Sequence, residues 1–381
     1  MTREERERGR AKKFHSYYDY SLLFLTLFLV CFGLVMIYST SSYNASRKYG
    51  DPAYYLGKQG VFAIVGVVVM LIVSKIDYRI YIKKLPVLKI RPVMLLYILC
   101  MFLQVFVMIF GKEINGSKRW IELGPFGSFQ PSELSKVAVI LFTAYIVNLA
   151  PKKLDKFAGF LKTAFFVAPL IGLVLIENFS TALVMGCILI AICFVASRKK
   201  LYFIATGIIG VAIGAFSVFG VSYRSTRIDV WKNVETHEKG YQILQGLYAI
   251  ASGRIFGKGL GESMQKLGFI PESHNDMIFS VICEELGLFG AVSVILLFVM
   301  MIWRLFVIAI NAPDLYGGLI ATGVLTHIAI QVLLNIAVVT NTIPSTGIPL
   351  PFISYGGSSL LVLLGEMGIV LSVSNQIKYE R

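Results

Sequence analysis

Long apolar runs recur at short intervals along almost the whole chain. A helix needs about 20 predominantly apolar residues to cross the hydrocarbon core of a bilayer. In lipid each such segment must also satisfy its own backbone hydrogen bonds, which an α-helix does. The candidate runs are 20–40, 57–74, 93–111, 134–150, 160–176, 181–197, 201–220, 277–303, 317–339 and 358–375. The sequence therefore predicts an all-α, polytopic integral membrane protein with about ten transmembrane helices.

Composition and charge agree with a membrane bundle. Of the 381 residues, 56% are hydrophobic and only 15% are charged, too few charges for a soluble surface. The net charge of +14 lies mainly in short cationic clusters between apolar runs, which is typical of loops facing anionic lipid and not of a nucleic-acid partner. The five cysteines are scattered through apolar segments, and the four histidines lack metal-ligand spacing. These patterns predict buried thiols and no metal site.

The positions of Lys and Arg predict the orientation of the helices. Loops rich in these residues stay in the cytoplasm. The cationic clusters lie in the tail 1–19 and in the segments 75–91, 152–156 and 198–200. With ten spans, the basic tail 1–19 and the C-terminal tail 376–381 would both be cytoplasmic, and residues 20–375 would form the membrane domain.

Three segments would then lie outside: 112–133, 221–276 and 340–357. The second, between helices seven and eight, carries seven cations, but six acidic residues offset them and long loops obey the charge rule poorly. Within it, residues 241–252 have apolar side chains at helical spacing, which predicts an amphipathic helix in the membrane interface. The third contains three prolines that cannot continue a helix, so it predicts a re-entrant, site-forming loop.

Asp276 is the strongest catalytic candidate. It lies at the outer mouth of the eighth span, where apolar surroundings can raise the pKa of a carboxyl toward the working range of a general base. An N-cap of the following helix is the other interpretation, because Asp is favoured at that position. The residues alone leave both open.

Other polar residues at membrane depth suggest structural roles. Glu284 and Glu285 are adjacent and cannot share one helix face, so we expect one of them to pair with a cation or a carbonyl inside the bundle, which is a structural role and not catalysis. His327, Gln331 and Asn335 recur every four residues in the ninth span. This polar stripe predicts interhelical hydrogen bonds in the bundle interior.

The first outer segment offers groups that could bind an anionic sugar lipid. Lys118 and Arg119 could hold phosphate, Arg by paired hydrogen bonds. Trp120 could stack on a sugar, although an interface anchor is the commoner role and the one that the residues favour. Glu133 and Lys136, three residues apart, could pair on one face of the fourth span.

Three outer segments together resemble a known family. They read NGSKRWIELGPFGSFQPSELSK, GKGLGESMQKLGFIPESHNDMIFSVICEELG and STGIPLPFISYGGSS. They are similar to the SEDS family (shape, elongation, division and sporulation) of FtsW, RodA and SpoVE, and the resemblance covers essentially the whole chain. It implies a peptidoglycan glycosyltransferase that polymerises lipid II at the outer face of the bacterial cytoplasmic membrane.

The resemblance also implies roles for individual residues. The essential aspartate of the family matches Asp276, which would act as general base on the acceptor sugar. The substrate-binding residues would be Trp120, Arg119, Lys118, Glu133, Lys136, Ser354, Gly356 and Gly357. The chain departs from the family at Asn275, where relatives have Thr, and at 177–182, where many relatives read Pro-Asp-x-Gly-Thr-Ala. A role assigned to that second aspartate cannot be transferred.

Partners and alternatives follow from the same resemblance. It implies a class B penicillin-binding protein as transpeptidase partner, other divisome proteins, and a location at the division septum. The approach to the proline-rich loop and the basic tail favour an FtsW-like division enzyme over a RodA-like elongation enzyme. A lipid II flippase and a non-enzymatic scaffold are the rival functions. A divalent cation could assist at the pyrophosphate, but no ligand cluster in the sequence requires one.

Overall fold

The computed structural model describes residues 14–86, 89–114, 117–122, 124, 127–206 and 222–380. The described chain is mainly helical, which confirms the predicted fold class. Its α-helices are α1 (Tyr20–Tyr49), α2 (Tyr54–Lys75), α3 (Pro92–Phe110), α4 (Pro131–Leu149), α5 (Phe157–Glu177), α6 (Phe179–Ala196), α7 (Ser222–Lys232), α8 (Tyr241–Gly253), α9 (Ile278–Asn311), α10 (Leu315–Val339) and α11 (Gly357–Asn375). Within this part of the chain, nine helices, all but α7 and α8, are long and apolar enough to cross a membrane.

These nine helices correspond to nine of the ten predicted spans. The seventh predicted span, 201–220, is helical at 201–206, and its remaining residues lie outside the described ones. The largest boundary error concerns α1, which ends at Tyr49 and not at residue 40. Its last turns are polar, so hydropathy does not detect a helix that continues beyond the apolar core.

The two ends of the described chain meet at one end of the bundle. Strand β1 (Phe14–Ser16) pairs antiparallel with β5 (Lys378–Glu380). Nearby, Asp19 caps α1 by accepting a hydrogen bond from Leu22 N at 2.9 Å, and it pairs with Arg304 of α9 at 2.6 Å. The two ends of the described chain therefore lie at the same end of the bundle. That this side is cytoplasmic stays a prediction from the cationic loops.

The interior of the bundle is built from α4, α10 and α11. α4 and α11 are the most buried spans, whereas α2, α3, α5 and α9 leave most of their surface outside. α11 packs most extensively against α2, and α10 packs against α4, α6 and α9. Polar side chains on the three interior helices thus face protein and not lipid.

The opposite end of the bundle carries the predicted outer segments. The first forms a small antiparallel sheet of β2 (Lys112–Ile114), β3 (Ser117–Glu122) and β4 (Ser128–Phe129), in that order. The second contains α7 and α8, and α8 packs against α9. The third is the non-helical segment between α10 and α11, as its prolines predict.

α9 is broken close to this end. Gly287 has φ 67° and ψ −165°, a conformation open essentially to glycine alone. The freed peptide groups pair with the preceding loop: Lys258 N donates to Glu284 O, and Phe289 N donates to Ile255 O, both within 3.1 Å. The break therefore docks residues 254–259 against the first turns of α9.

Candidate functional site

Asp276 lies half-buried in the short segment before α9, at the end of the bundle that carries the predicted outer segments. Met277, and not Asp276, is the N-cap of α9, and no side chain caps the helix there, so the N-cap interpretation is wrong. The Asp276 carboxylate is 3.5 Å from Nε2 of Gln242 on α8. Its main-chain carbonyl accepts a hydrogen bond of 2.8 Å from Asn335 on α10. Side chains of α8 and α10 thus contact the carboxylate and the main chain of Asp276.

The surroundings of Asp276 favour a proton acceptor. Burial raises the pKa of its carboxyl above the ordinary aspartate value, and the negative charge of Glu272 raises it further. The guanidinium of Arg227 and the nearby backbone N–H groups act in the opposite direction, and burial prevails. A carboxylate with a raised pKa is a stronger base than an exposed one, which suits proton abstraction near neutral pH.

The segment before α9 is joined to the proline-rich loop 340–356. Ser354 donates a hydrogen bond to the carbonyl of Asn275 and accepts one from Leu350 N, each at 2.8 Å. Tyr355 N donates to the carbonyl of His274 at 2.9 Å. The two loops therefore form one body next to Asp276.

The large outer loop braces this body from the other side. Arg227 of α7 donates to the carbonyl of Ser345 at 2.8 Å, and the indole of Trp231 donates to the carbonyl of Asn341 at 2.9 Å. The segment 241–252 is helical as predicted, but α8 buries Ile243 and other residues of one face in protein. Gly246 and Gly253 of that face approach α9 closely, and the location of the exposed face in the membrane interface stays a prediction.

A polar cavity of about 340 Å³ opens between α4, α6, α10 and the proline-rich loop. Its lining residues are Gln130, Glu133, Lys136, Asn178, Thr181, Val184, Gln331, Gly347, Ile348 and Pro349. Lys136 and Glu133 pair at 3.0 Å, both almost fully buried, and Ser359 of α11 donates to Glu133 at 2.8 Å. Gly347 links the cavity to the candidate base, since a Cβ placed there would lie 4.0 Å from Oδ2 of Asp276.

The predicted phosphate and sugar ligands on β3 do not line this cavity, but two of them contact Glu177, which precedes a lining residue. Arg119 Nε donates to the carbonyl of Glu177 at 2.7 Å, and Lys118 N donates to the Glu177 carboxylate at 2.9 Å. The next residue, Asn178, lines the cavity. Trp120 pairs across the hairpin with Lys112 and is half-buried. The hairpin is thus fixed to the corner between α5 and α6, on the cavity's side.

The remaining residues of the proline-rich loop that were predicted to bind substrate make structural contacts. Gly356 N donates to Oε1 of Gln59 at 3.1 Å. A Cβ at Gly357 would lie 2.3 Å from the ring of Phe62, so this position holds α2 and α11 close together. Ser354 is buried between the loops, and the binding of substrate by these three residues stays a prediction.

Glu284 and Glu285 point to different partners. Glu284 pairs with Lys258 at 2.6 Å and accepts a hydrogen bond from Ser263. Glu285 pairs with Lys266 at 2.8 Å, and both are buried. The two carboxylates anchor the loop 254–268 onto α9, which is a structural role.

Sequence reasoning missed part of the buried polar network. His327 contacts Glu366 of α11 at 2.8 Å between Nδ1 and Oε2, both fully buried. Glu366 is the one charged residue in the predicted span 358–375, and the cost of a charge at membrane depth was a signal that could have identified it. Gln331, one turn from His327, lines the cavity.

A metal site has no support in the described geometry. Among the residues that the structure describes, no group of three or more His, Cys, Asp or Glu side chains could hold a metal ion. A divalent cation at a substrate pyrophosphate therefore stays a prediction.

Comparisons with known proteins agree on one family. Residues 20–379 match the family model of FtsW, RodA and SpoVE, described as cell cycle protein. Two relatives are 39% identical: a probable peptidoglycan glycosyltransferase FtsW of Geobacter sulfurreducens, over 95% of this chain and 96% of that protein, and stage V sporulation protein E of Bacillus subtilis, over 95% and 98%.

Solved structures share the fold. A chain of a peptidoglycan synthase complex that coordinates polymerization and crosslinking is 27% identical, with a TM-score of 0.76 and coverage of 94% of this chain and 98% of that one. The rod shape determining protein RodA of Thermus thermophilus is 26% identical, with a TM-score of 0.68 and coverage of 96% and 98%.

Proposed function

The chain belongs to the FtsW/RodA/SpoVE family of cell cycle proteins, and we propose on this premise that it is a peptidoglycan glycosyltransferase. Its substrate would be lipid II, polymerised at the outer face of the cytoplasmic membrane. The observation that carries the proposal is the half-buried Asp276 carboxylate beside a polar cavity that holds Lys136 and Glu133. Gly347 lies next to the Asp276 carboxylate and also lines the cavity of Lys136.

In the proposed reaction, Asp276 acts as the general base. Its carboxylate takes the proton from the 4-hydroxyl of the acceptor N-acetylglucosamine, and that oxygen bonds to the anomeric carbon of the donor strand. The bond between this carbon and the pyrophosphate oxygen breaks, undecaprenyl pyrophosphate leaves, and the configuration inverts. Lys136 in the cavity and Arg119 at its border stabilise the charge on the leaving group.

The test uses purified full-length protein, lipid II and an Asp276→Asn variant. We expect the parent protein to produce glycan strands that gel electrophoresis detects. The polymerisation rate of the variant should be at least about 100-fold lower, because the amide cannot accept the proton. Glu262→Gln, an exposed acidic position in the same outer loop, is the control and retains polymerisation. Parental rates from Asp276→Asn would disprove the role of the base.

The same preparation separates a polymerase from a flippase. Reconstituted vesicles with fluorescent lipid II report transfer between leaflets, and added glycan-digesting muramidase reports polymer. Transfer of lipid II between leaflets by the parent protein, without any glycan product, would contradict the proposed glycosyltransferase activity. Glycan product that disappears in Asp276→Asn while leaflet transfer is unchanged supports it.

We further propose an FtsW-like role at the division septum with a class B penicillin-binding protein. The relatives named FtsW and the solved complex that combines polymerization with crosslinking support this assignment. A fluorescent fusion at midcell is the expected result, and uniform side-wall fluorescence would favour the RodA-like alternative.

A further inference from the structure

A cluster of stacked tyrosines covers the ends of α1 and α2 that lie beside the candidate site. Tyr49 is the last residue of α1 and Tyr54 the first of α2. Their rings are stacked, with centroids 3.8 Å apart and planes 13° from parallel. Tyr55 packs edge-on against both. The turn between the two helices thus carries a compact aromatic surface, in which Tyr49 is exposed and Tyr54 and Tyr55 are partly buried.

This surface is connected to the segment that holds the candidate base. The ring of Tyr55 lies 4.4 Å from the ring of His274 and 5.1 Å from that of Tyr355. His274 is two residues before Asp276, and burial lowers the pKa of its imidazole to about 4, so the ring is uncharged at neutral pH. A continuous path of rings therefore runs from the neighbourhood of Asp276 to the outer rim.

Two lysine side chains lie close to the Tyr54 and Tyr49 rings. Lys58 Nζ is 4.4 Å from the centre of the Tyr54 ring and donates a 2.6 Å hydrogen bond to its hydroxyl. Lys48 Nζ is 5.3 Å from the centre of the Tyr49 ring. Asp51, in the turn between the helices, uses its carboxylate to accept from a backbone N–H at the start of α2. We call Lys48, Tyr49, Tyr54 and Lys58 the tyrosine–lysine patch.

The composition of the patch suits a saccharide with anionic substituents. Flat aromatic faces stack against the apolar C–H faces of pyranose rings, and they do so without ordering long flexible side chains. Ammonium groups beside them attract carboxylates. A tyrosine that merely anchors the protein at the membrane interface needs neither a stacked partner ring nor a path of rings to Asp276.

We propose that the tyrosine–lysine patch is a binding subsite for the glycan strand next to the site of bond formation. This rests on the proposed function, since a polymerase that makes many bonds must hold the polymer between additions. Tyr49 and Tyr54 stack on the sugars, and Lys48 and Lys58 bind the carboxylates of their lactyl or peptide substituents.

Binding is measured on the full-length Asp276→Asn protein, so that turnover does not change the ligand. The probe is a fluorescent oligosaccharide of alternating N-acetylglucosamine and N-acetylmuramic acid. We expect Tyr49→Ala/Tyr54→Ala to weaken binding about tenfold. The control is Tyr38→Ala on the same helix, since Tyr38 is 44% exposed and Tyr49 is 42% exposed. Equal affinity of Tyr49→Ala/Tyr54→Ala and Tyr38→Ala for the oligosaccharide would contradict the proposed subsite.

Conservative and charge variants give independent readouts. Tyr49→Phe/Tyr54→Phe keeps the stacked rings and is expected to bind like the parent. Lys48→Gln/Lys58→Gln should weaken binding of a peptide-bearing oligosaccharide several-fold more than binding of one whose carboxylates are amidated. An equal effect on both oligosaccharides contradicts the role of the lysines.

Kinetic measurements on the catalytically active protein give a second test of the subsite. Loss of the patch should shorten glycan strands several-fold while the rate of the first bond stays within about twofold of the parent. Unchanged strand length would overturn the proposal. If no variant, including the parent, makes glycan, the proposed function fails, and the binding measurement on Asp276→Asn still decides the subsite.

Discussion

The Asn335 side chain joins the segment of Asp276 to the proline-rich loop. Its Nδ2 donates to the main-chain carbonyl of Asp276 at 2.8 Å and to that of Ile348 at 2.9 Å. Asn335 is almost fully buried on α10, an interior helix. One amide group thus sets the positions of two loops relative to a rigid element, which is how active-site geometry is held in proteins.

Asn335→Ala should therefore impair turnover more than binding. Losing both hydrogen bonds lets the Asp276 segment shift relative to the cavity, and a displacement of about 1 Å can cost about 100-fold in rate. We expect kcat of lipid II polymerisation to fall by about 10-fold to 100-fold with a much smaller change in KM. Leu333→Ala, on the exposed side of the same helix, is the control. A parental kcat in Asn335→Ala would show that the bridge is dispensable.

Glu272→Gln should move the acid side of the pH–rate profile. The carboxylate of Glu272 raises the pKa of Asp276, so its removal lowers that pKa. Asp276 then stays ionised to lower pH, and the acid limb of kcat/KM is expected to shift to lower pH. Glu262→Gln, an exposed acidic position in the same loop, should leave the limb in place. A shift to higher pH would contradict the electrostatic account.

The membrane fold could be predicted because hydropathy is a local signal. Each apolar run by itself predicts one membrane-spanning helix. The spacing of His327, Gln331 and Asn335 predicted which face of α10 is buried. The end of α1 at Tyr49 was missed, since polar turns beyond the apolar core carry no such signal. The antiparallel hairpin that carries Arg119 was missed for a related reason, because it contains too few residues to show a period.

The site was only partly predictable. Single residue types near the membrane pointed to Asp276 and to the pair of Glu133 and Lys136. Their arrangement around one loop depends on Gly347, whose backbone lies beside both the cavity and Asp276. Such proximity between distant parts of the chain is a tertiary property, and no periodicity in the sequence encodes it.

The buried pair of Lys266 and Glu285 should be costly to break. Within the described part of the chain, Lys266→Met leaves the buried Glu285 carboxylate with the Ser39 hydroxyl and no cation, and an uncompensated buried charge costs about 3–5 kcal/mol. We expect a clear fall in the midpoint of thermal unfolding in detergent. The double variant Lys266→Met/Glu285→Gln should recover most of the loss, because no charge remains buried.

The exposed pair of Lys112 and Glu122 provides the matched comparison. Both side chains are more than half exposed, and such pairs contribute about 0–1 kcal/mol. Lys112→Met should therefore leave the unfolding midpoint nearly unchanged. Equal losses from Lys266→Met and Lys112→Met would contradict the assignment of a structural role to the buried pair.

Gly287→Ala tests the break in α9 that docks the outer loop. Any Cβ at this position would lie 2.3 Å from Gly257 N, and the backbone conformation is one that non-glycine residues avoid. Strain and clash together should cost at least about 3 kcal/mol. The loop 254–259 would then separate from α9, so protease digestion should cut the loop faster and the unfolding midpoint should fall. Gly186→Ala on α6, where a Cβ meets nothing within 4 Å, should be neutral or slightly stabilising. If Gly287→Ala and Gly186→Ala have the same unfolding midpoint and are cut by protease at the same rate, the break in α9 is not what holds the loop in place.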